Sequence, residues 1–175
     1  MANDTTHLTG LFPDRDSAER AYQGVVDRGY TSKDVDVVMS DETRQRHFGD
    51  AAGRETELGN KAAEGAGIGA GIGGTVGAIA AAIAAVGTTL ALPGLGLVIA
   101  GPLAAGLAGA GAGGAAGGLV GALIGWSIPE ERVKEYETGI RQGGILMGVR
   151  PRNAEDAAHL EEHWRTQAGG QSVYR

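Results

Sequence analysis

From residue 65 to residue 128 the chain carries no charged side chain, and glycine recurs through this stretch at a fixed spacing. Gly65, Gly69, Gly73 and Gly77 stand four apart, and so do Gly109, Gly113, Gly117, Gly121 and Gly125. Residues four apart share one face of a helix. Each run therefore predicts a helix with a groove free of side chains, where a second backbone can approach closely. Small residues at this spacing are the packing signature of helices in apolar surroundings. Glycine in a helix costs about 0.8–1 kcal/mol relative to alanine, so these faces cost on the order of 7–9 kcal/mol together. Only close packing offsets a cost of that size. Disordered glycine-rich segments are polar and aperiodic, whereas this one is apolar and periodic.

Pro93-Gly-Leu-Gly96 breaks the stretch near its middle, and Gly101-Pro102 ends the break. The expectation is a helical hairpin over residues 65–128, with arms of about 26 residues, each roughly 39 Å long. Such an arm exceeds the roughly 20 residues needed to cross a bilayer. The first arm also carries a bulky stripe of Ile68, Ile72, Val76, Ile79, Ile83, Val86 and Leu90 beside its glycine face. The second arm holds only Ala and Gly from residue 108 to residue 118, which predicts enclosure by protein on more than one side. The segment from Leu90 to Pro102 has almost no polar side chain, and reads as a re-entrant wedge or as a tip buried in an assembly. Trp126 reads either as a membrane-interface residue or as packing against the neighbouring domain.

The flanks read differently. Residues 6–40 predict a strand–helix–strand half: His7-Leu-Thr-Gly-Leu-Phe12 as strand, a capping box at Asp16-Ser-Ala-Glu19, a helical face of Ala18, Ala21, Tyr22, Val25 and Val26, and a strand at Asp34-Val-Asp-Val-Val-Met39. Residues 41–64 are polar and charge-mixed and predict a linker with some helix. Residues 129–175 predict an amphipathic helix through Val133, Tyr136 and Ile140, then a strand at 145–149. A second helix start at Asn153-Ala-Glu-Asp156 and a short strand at 172–174 follow. The two ends look alike: Leu8-Thr-Gly-Leu-Phe-Pro13 resembles Leu146-Met-Gly-Val-Arg-Pro151. The expected fold class is α+β, a ferredoxin-like pair of strand–helix–strand halves forming a four-stranded sheet with helices on one face. The apolar glycine-zipper α-helical hairpin is inserted between the halves.

Sharper motifs lack their context. Gly69-Ala-Gly71-Ile-Gly-Gly74 matches G-x-G-x-x-G, but no strand precedes it and no acid follows about 20 residues on. His159-Leu-Glu-Glu162-His163 matches H-x-x-E-H, with His47 as a conceivable third ligand, but reads better as a solvated helix face. No catalytic, cofactor-binding or metal-ligating residue is assigned, and no cofactor is expected. A net charge of −6 offers no attraction to nucleic acid. The chain has no cysteine, which excludes disulfide and thiolate chemistry. Residues 1–7 show no basic-then-apolar pattern, so no secretory leader is expected, and the expected location is the cytoplasm or the cytoplasmic side of a membrane.

The organisation resembles a bacterial family of general stress, or heat-induced stress, proteins with a glycine-zipper insertion. The resemblance rests on Leu8-Thr-Gly-Leu-Phe-Pro-Asp-Arg-Asp-Ser-Ala-Glu19, Asp34-Val-Asp-Val-Val38, the zipper at 65–77, Ile128-Pro-Glu-Glu-Arg132 and Gly143-Gly-Ile-Leu146. It implies a role in stress tolerance and carries over no reaction. Three readings follow. The first is a homo-oligomer whose partner is itself, packed through the zipper glycines and Ile68, Ile72, Ile79 and Ile83, in a membrane or as a closed assembly. The second is a bilayer-inserted hairpin acting as a wedge or anchor. The third is a small-ligand or metal-binding module on the α/β face.

Overall fold

The computed structural model describes residues 7–52, 89–92, 96–104 and 128–175. The first strand, β1 (Leu8–Phe12), stops at Pro13, and α1 (Arg15–Asp27) follows. The α1 cap is Asp14, whose carboxylate accepts the Ser17 N–H at 2.8 Å. The capping box expected at Asp16 is thus corrected by one pair: Asp14 is extended (φ −146°) and stands at the same three-residue spacing, leaving Asp16 inside the first turn. A 3-10 turn, Ser32–Asp34, leads into β2 (Val35–Ser40).

The polar stretch after β2 is not simply a linker. Residues 41–52 form α2 (Asp41–Ala52), capped by the Ser40 hydroxyl on the Thr43 N–H and seated by the buried ring of Phe48. Then comes the largest departure from expectation. Residues 89–92 and 97–100 are strands, β3 (Thr89–Leu92) and β4 (Leu97–Ala100), paired antiparallel with Thr89 opposite Ala100 and Leu92 opposite Leu97. Leu90 belongs to β3, not to a helical stripe. Within the segment read as a re-entrant wedge or as a tip buried in an assembly, residues 90–92 and 97–100 extend the sheet. The described remainder is α3 (Glu130–Arg141), β5 (Ile145–Val149), α4 (Ala154–Thr166) and β6 (Gln171–Tyr174).

The fold is mixed α/β. Among the described residues its sheet has six strands in the order β3-β4-β2-β5-β1-β6, and every neighbouring pair is antiparallel. The expected four strands became six because the β3–β4 hairpin pairs with β2, with Val37 opposite Ala100. The helices also do not share one face. Leu8, Phe12, Val37, Met39, Ile145 and Met147 pack with α1, α4 and Phe48 of α2. Leu11, Val38, Ile99 and Leu146 face the other way and pack under Val133, Tyr136 and Ile140 of α3. Alternation along each strand feeds two apolar layers, so the sheet is buried on both faces.

Side-chain bonds lock the helices in place. The Trp164 indole N–H of α4 donates to the Ala21 carbonyl of α1 at 3.1 Å, and its ring meets Phe12 edge-on at 5.4 Å. Small residues Ala18, Ala21 and Gly24 let α4 come that close; a Cβ at Gly24 would overlap the His163 ring. Across the other face, the Tyr136 hydroxyl donates to the Ser172 carbonyl at 2.8 Å. The buried Thr9 hydroxyl lies 2.9 Å from that of Tyr136 and 3.3 Å from the Tyr174 carbonyl, so it ties β1 to α3 and to β6. Tyr30 joins the halves, donating to Asp156 at 2.8 Å and accepting the Arg152 N–H at 2.8 Å, with Arg28 on the same carboxylate at 2.8 Å. Because Trp164 is fully buried, Trp164→Ala should cost about 3–5 kcal/mol in urea unfolding. A loss below about 1 kcal/mol would show that this contact does not hold α1 on α4.

Candidate functional site

The residues expected to zip helices together all lie outside the described residues: Gly65, Gly69, Gly73 and Gly77 with Ile68, Ile72, Ile79 and Ile83, and Gly109, Gly113, Gly117, Gly121 and Gly125. So does Trp126. The structure does describe where those stretches are rooted. Thr89, following the first, lies opposite Ala100, preceding the second, on adjacent strands of one hairpin. Ile128 ahead of α3 ends the second stretch, and α2 ends at Ala52, thirteen residues before Gly65. Leu103, Ala104 and Ile128 pack in the same apolar layer under the sheet, beside Val133.

The second root is built around one carboxylate. β2 alternates, with Val35, Val37 and Met39 in the layer under α1 and α4, which turns Asp36 and Val38 towards α3. In the register Asp36 is opposite Gly148 of β5, and the hairpin partner of Val37 is Ala100. The chain therefore leaves β4 beside Asp36. Gly101 turns it there with φ +112°. Any side chain at 101 would strike the Val35 carbonyl, and its Cβ would stand 2.7 Å from Asp36 Oδ1 and 2.9 Å from Asp36 Cα. Pro102 then starts a helical turn, with the Ala104 N–H on the Gly101 carbonyl at 3.0 Å. The Leu103 N–H donates to Asp36 Oδ1 at 2.6 Å.

Asp36 is only 3% exposed. Burial pushes its carboxyl up to about 6, against the opposing pull of the Leu103 N–H and of the Arg150 guanidinium. At neutral pH the fold therefore carries an ionised carboxylate whose burial is only partly compensated. His7, at the same end of the sheet, is held down to about 4 by burial and by Arg150. Tyr136 is raised by burial. Both are neutral across the range in which Asp36 titrates.

Of the H-x-x-E-H residues, His159 and Glu162 face solvent and only His163 packs, against α1. His163 Nε2 lies 3.1 Å from the Arg20 carbonyl; a carbonyl only accepts, so Nε2 carries the proton and donates. His159 is exposed, and His47 sits on α2, where its carbonyl accepts from Arg15 at 3.1 Å. Among the described residues no group of three His, Cys, Asp or Glu could hold a metal ion. No helix among them is long and apolar enough to cross a membrane. Comparison with protein-family models, curated proteins and solved structures finds no match to this chain.

Neither Asp36 nor Gly101 stood out in the sequence. Asp36 reads as the polar position of a half-exposed strand, and Gly101-Pro102 as ordinary loop punctuation. The usable signal was a lone acid inside Val35-Asp-Val-Val-Met39. Two outcomes are expected here. Gly101→Ala should cost about 1–3 kcal/mol, from left-handed strain and overlap with β2, read by thermal unfolding. An unchanged melting temperature would mean that the turn is not held to β2. The second concerns pH. Folded Asp36 binds its proton more tightly than an unfolded aspartate near 3.8, so its contribution to stability is complete below about pH 4 and is lost as pH rises through about 6. Relative to wild type, Asp36→Asn should gain stability between pH 4 and pH 7, by on the order of 2–3 kcal/mol. A constant difference across that range would remove the burial argument.

Proposed function

We propose that this chain is a non-enzymatic, stress-related structural protein. It self-associates through its glycine-zippered apolar stretches, carried on an α/β body of ferredoxin-like order. The observation that carries this reading is the antiparallel pairing of Thr89 with Ala100. Neighbouring strands lie about 4.8 Å apart. The described residues next to the two apolar stretches, Thr89 and Ala100, thus lie side by side, which suits two backbones that meet along side-chain-free faces. Supporting the ferredoxin-like reading, β1, β2, β5 and β6 stand in the order β2-β5-β1-β6, with α1 and α4 packed on one face.

The stretches between the described segments hold the zipper glycines and no charge. Apolar surface of that extent does not stay exposed in water. A second copy of the chain buries it in the reading favoured here; a bilayer is the other cover. The β3–β4 pairing supports the assembly, because residues 90–92 and 97–100, part of the apolar segment that a membrane wedge would insert, are paired into the sheet. The stress role rests on the resemblance of the flanks and zipper to the general stress family. The prominent polar side chains of the body support a structural role, since Asp36, Thr9, Tyr136, Tyr30 and Trp164 each hold one element to another.

The test is the particle size of untagged full-length protein, without detergent, for wild type and a Gly113→Leu/Gly117→Leu variant. A large uniform wild-type particle that falls apart in the variant supports the zipper. An identical size distribution sinks it. Wild-type protein soluble only with detergent would favour the membrane hairpin instead.

A further inference from the structure

The turn that roots the second apolar stretch closes over a buried acid. Gly101 lies against Asp36, the Leu103 N–H donates to it at 2.6 Å, and Leu103 and Ala104 pack into the layer beneath the sheet. We propose that the turn at residues 101–104 is a proton-operated latch. It closes over Asp36 when that carboxyl is neutral and loosens when it ionises, so acidification fixes the root of the second apolar stretch to the sheet.

The direction follows from what closure does to the carboxyl. With the turn in place Asp36 is 3% exposed, and Leu103 supplies one N–H. Lifting the turn admits water to that carboxyl and returns it towards the ordinary aspartate range. Its closed-state value of about 6 shows that the lost hydration outweighs the N–H and the Arg150 charge. The closed state therefore binds the proton more tightly, and protonation favours closure by linkage. At neutral pH the Leu103 bond holds the turn down against this cost.

The groups facing Asp36 do not blur the response. On β5 the residue opposite is Gly148, and the Arg150 guanidinium beyond it favours the ionised form of Asp36. On β1, Thr9 does not titrate and His7 is neutral above about pH 4. On α3, Tyr136 stays neutral, Glu130 and Glu131 are exposed, and Arg132 pairs with Glu135 at 2.9 Å. Ahead of β2, Lys33 and Asp34 sit on the 3-10 turn, where Asp34 accepts the Thr31 N–H and lies 3.6 Å from Arg152.

Hydrogen–deuterium exchange of the full chain reads the latch directly, so no assembly need form for it to be seen. With intrinsic exchange rates removed, protection of the Leu103 and Ala104 amides should rise about tenfold from pH 7.5 to pH 5, as the closed-state carboxyl titrates with a midpoint near 6. The Leu146 and Met147 amides of β5 serve as the reference. Asp36→Asn should hold the turn protected at every pH. Arg150→Gln, which removes an exposed cation favouring the ionised form, should move the midpoint above 6. Flat protection in wild type overturns the latch, as does protection that falls with acid. A response that survives Asp36→Asn, or a midpoint that ignores Arg150→Gln, does so too.

Discussion

Everything in this body hangs on where β5 sits. Ile145–Val149 is hydrogen-bonded on one side by β1 and on the other by β2, in registers that set Leu8, Val149 and Val35 in one row. The two strands of the first half never touch; the last third of the chain fills the space between them. Neither half holds a finished sheet or a finished core. The layer under α1 and α4 needs Ile145 and Met147, and the layer under α3 needs Leu146. The charged joint of Arg28, Tyr30, Arg152 and Asp156 reinforces the union at the surface. The structure is one unit made by interdigitating two similar pieces, not two pieces side by side.

That arrangement explains what could be read in advance. The stripe Val133, Tyr136 and Ile140, the cap at Asn153, and the faces of α1 and α4 follow from 3.6-residue periodicity and cap chemistry, which act locally. Two things resisted. Short apolar runs such as Leu97-Val-Ile-Ala100 carry no period that separates strand from helix. Here the β-branched pair Val98-Ile99 and the four-residue Pro93–Gly96 connection were the overlooked strand signals. And alternation in β2 says which residues share a face, but not that α3 covers the face to which Asp36 belongs. Burial of Asp36 is a tertiary fact, decided by residues about a hundred positions away.

The zipper glycines were legible as a pattern, and the body adds a boundary condition to it. A helical hairpin with a far tip would put its turn at greatest distance from the flanking domain. The β3–β4 pairing does the reverse: residues 89–92 and 97–100, between the apolar stretches, are part of the sheet by backbone hydrogen bonds, and residue 103 is held by Asp36. Buried polar groups of this kind add little net stability, but they specify geometry, because an unpaired carboxylate in an apolar layer is costly. Asp36, Thr9 and Tyr136 share that character, each fixing the position of an element that apolar contact alone would leave free to slide.

The position of β5 also sets an order of events during synthesis. Met39 of β2 pairs with Ile145, so about a hundred residues must be made between one strand and its neighbour. At 5–20 residues per second that is roughly 5–20 s on the ribosome. During that interval the whole uncharged glycine-rich stretch has been made, while β2 still lacks its neighbour β5 and the layer on the Asp36 side lacks α3. Apolar surface left uncovered in a nascent chain is open to encounters with chaperones and other chains before the chain's own C-terminus arrives. The choice among those encounters is therefore open before the native sheet exists.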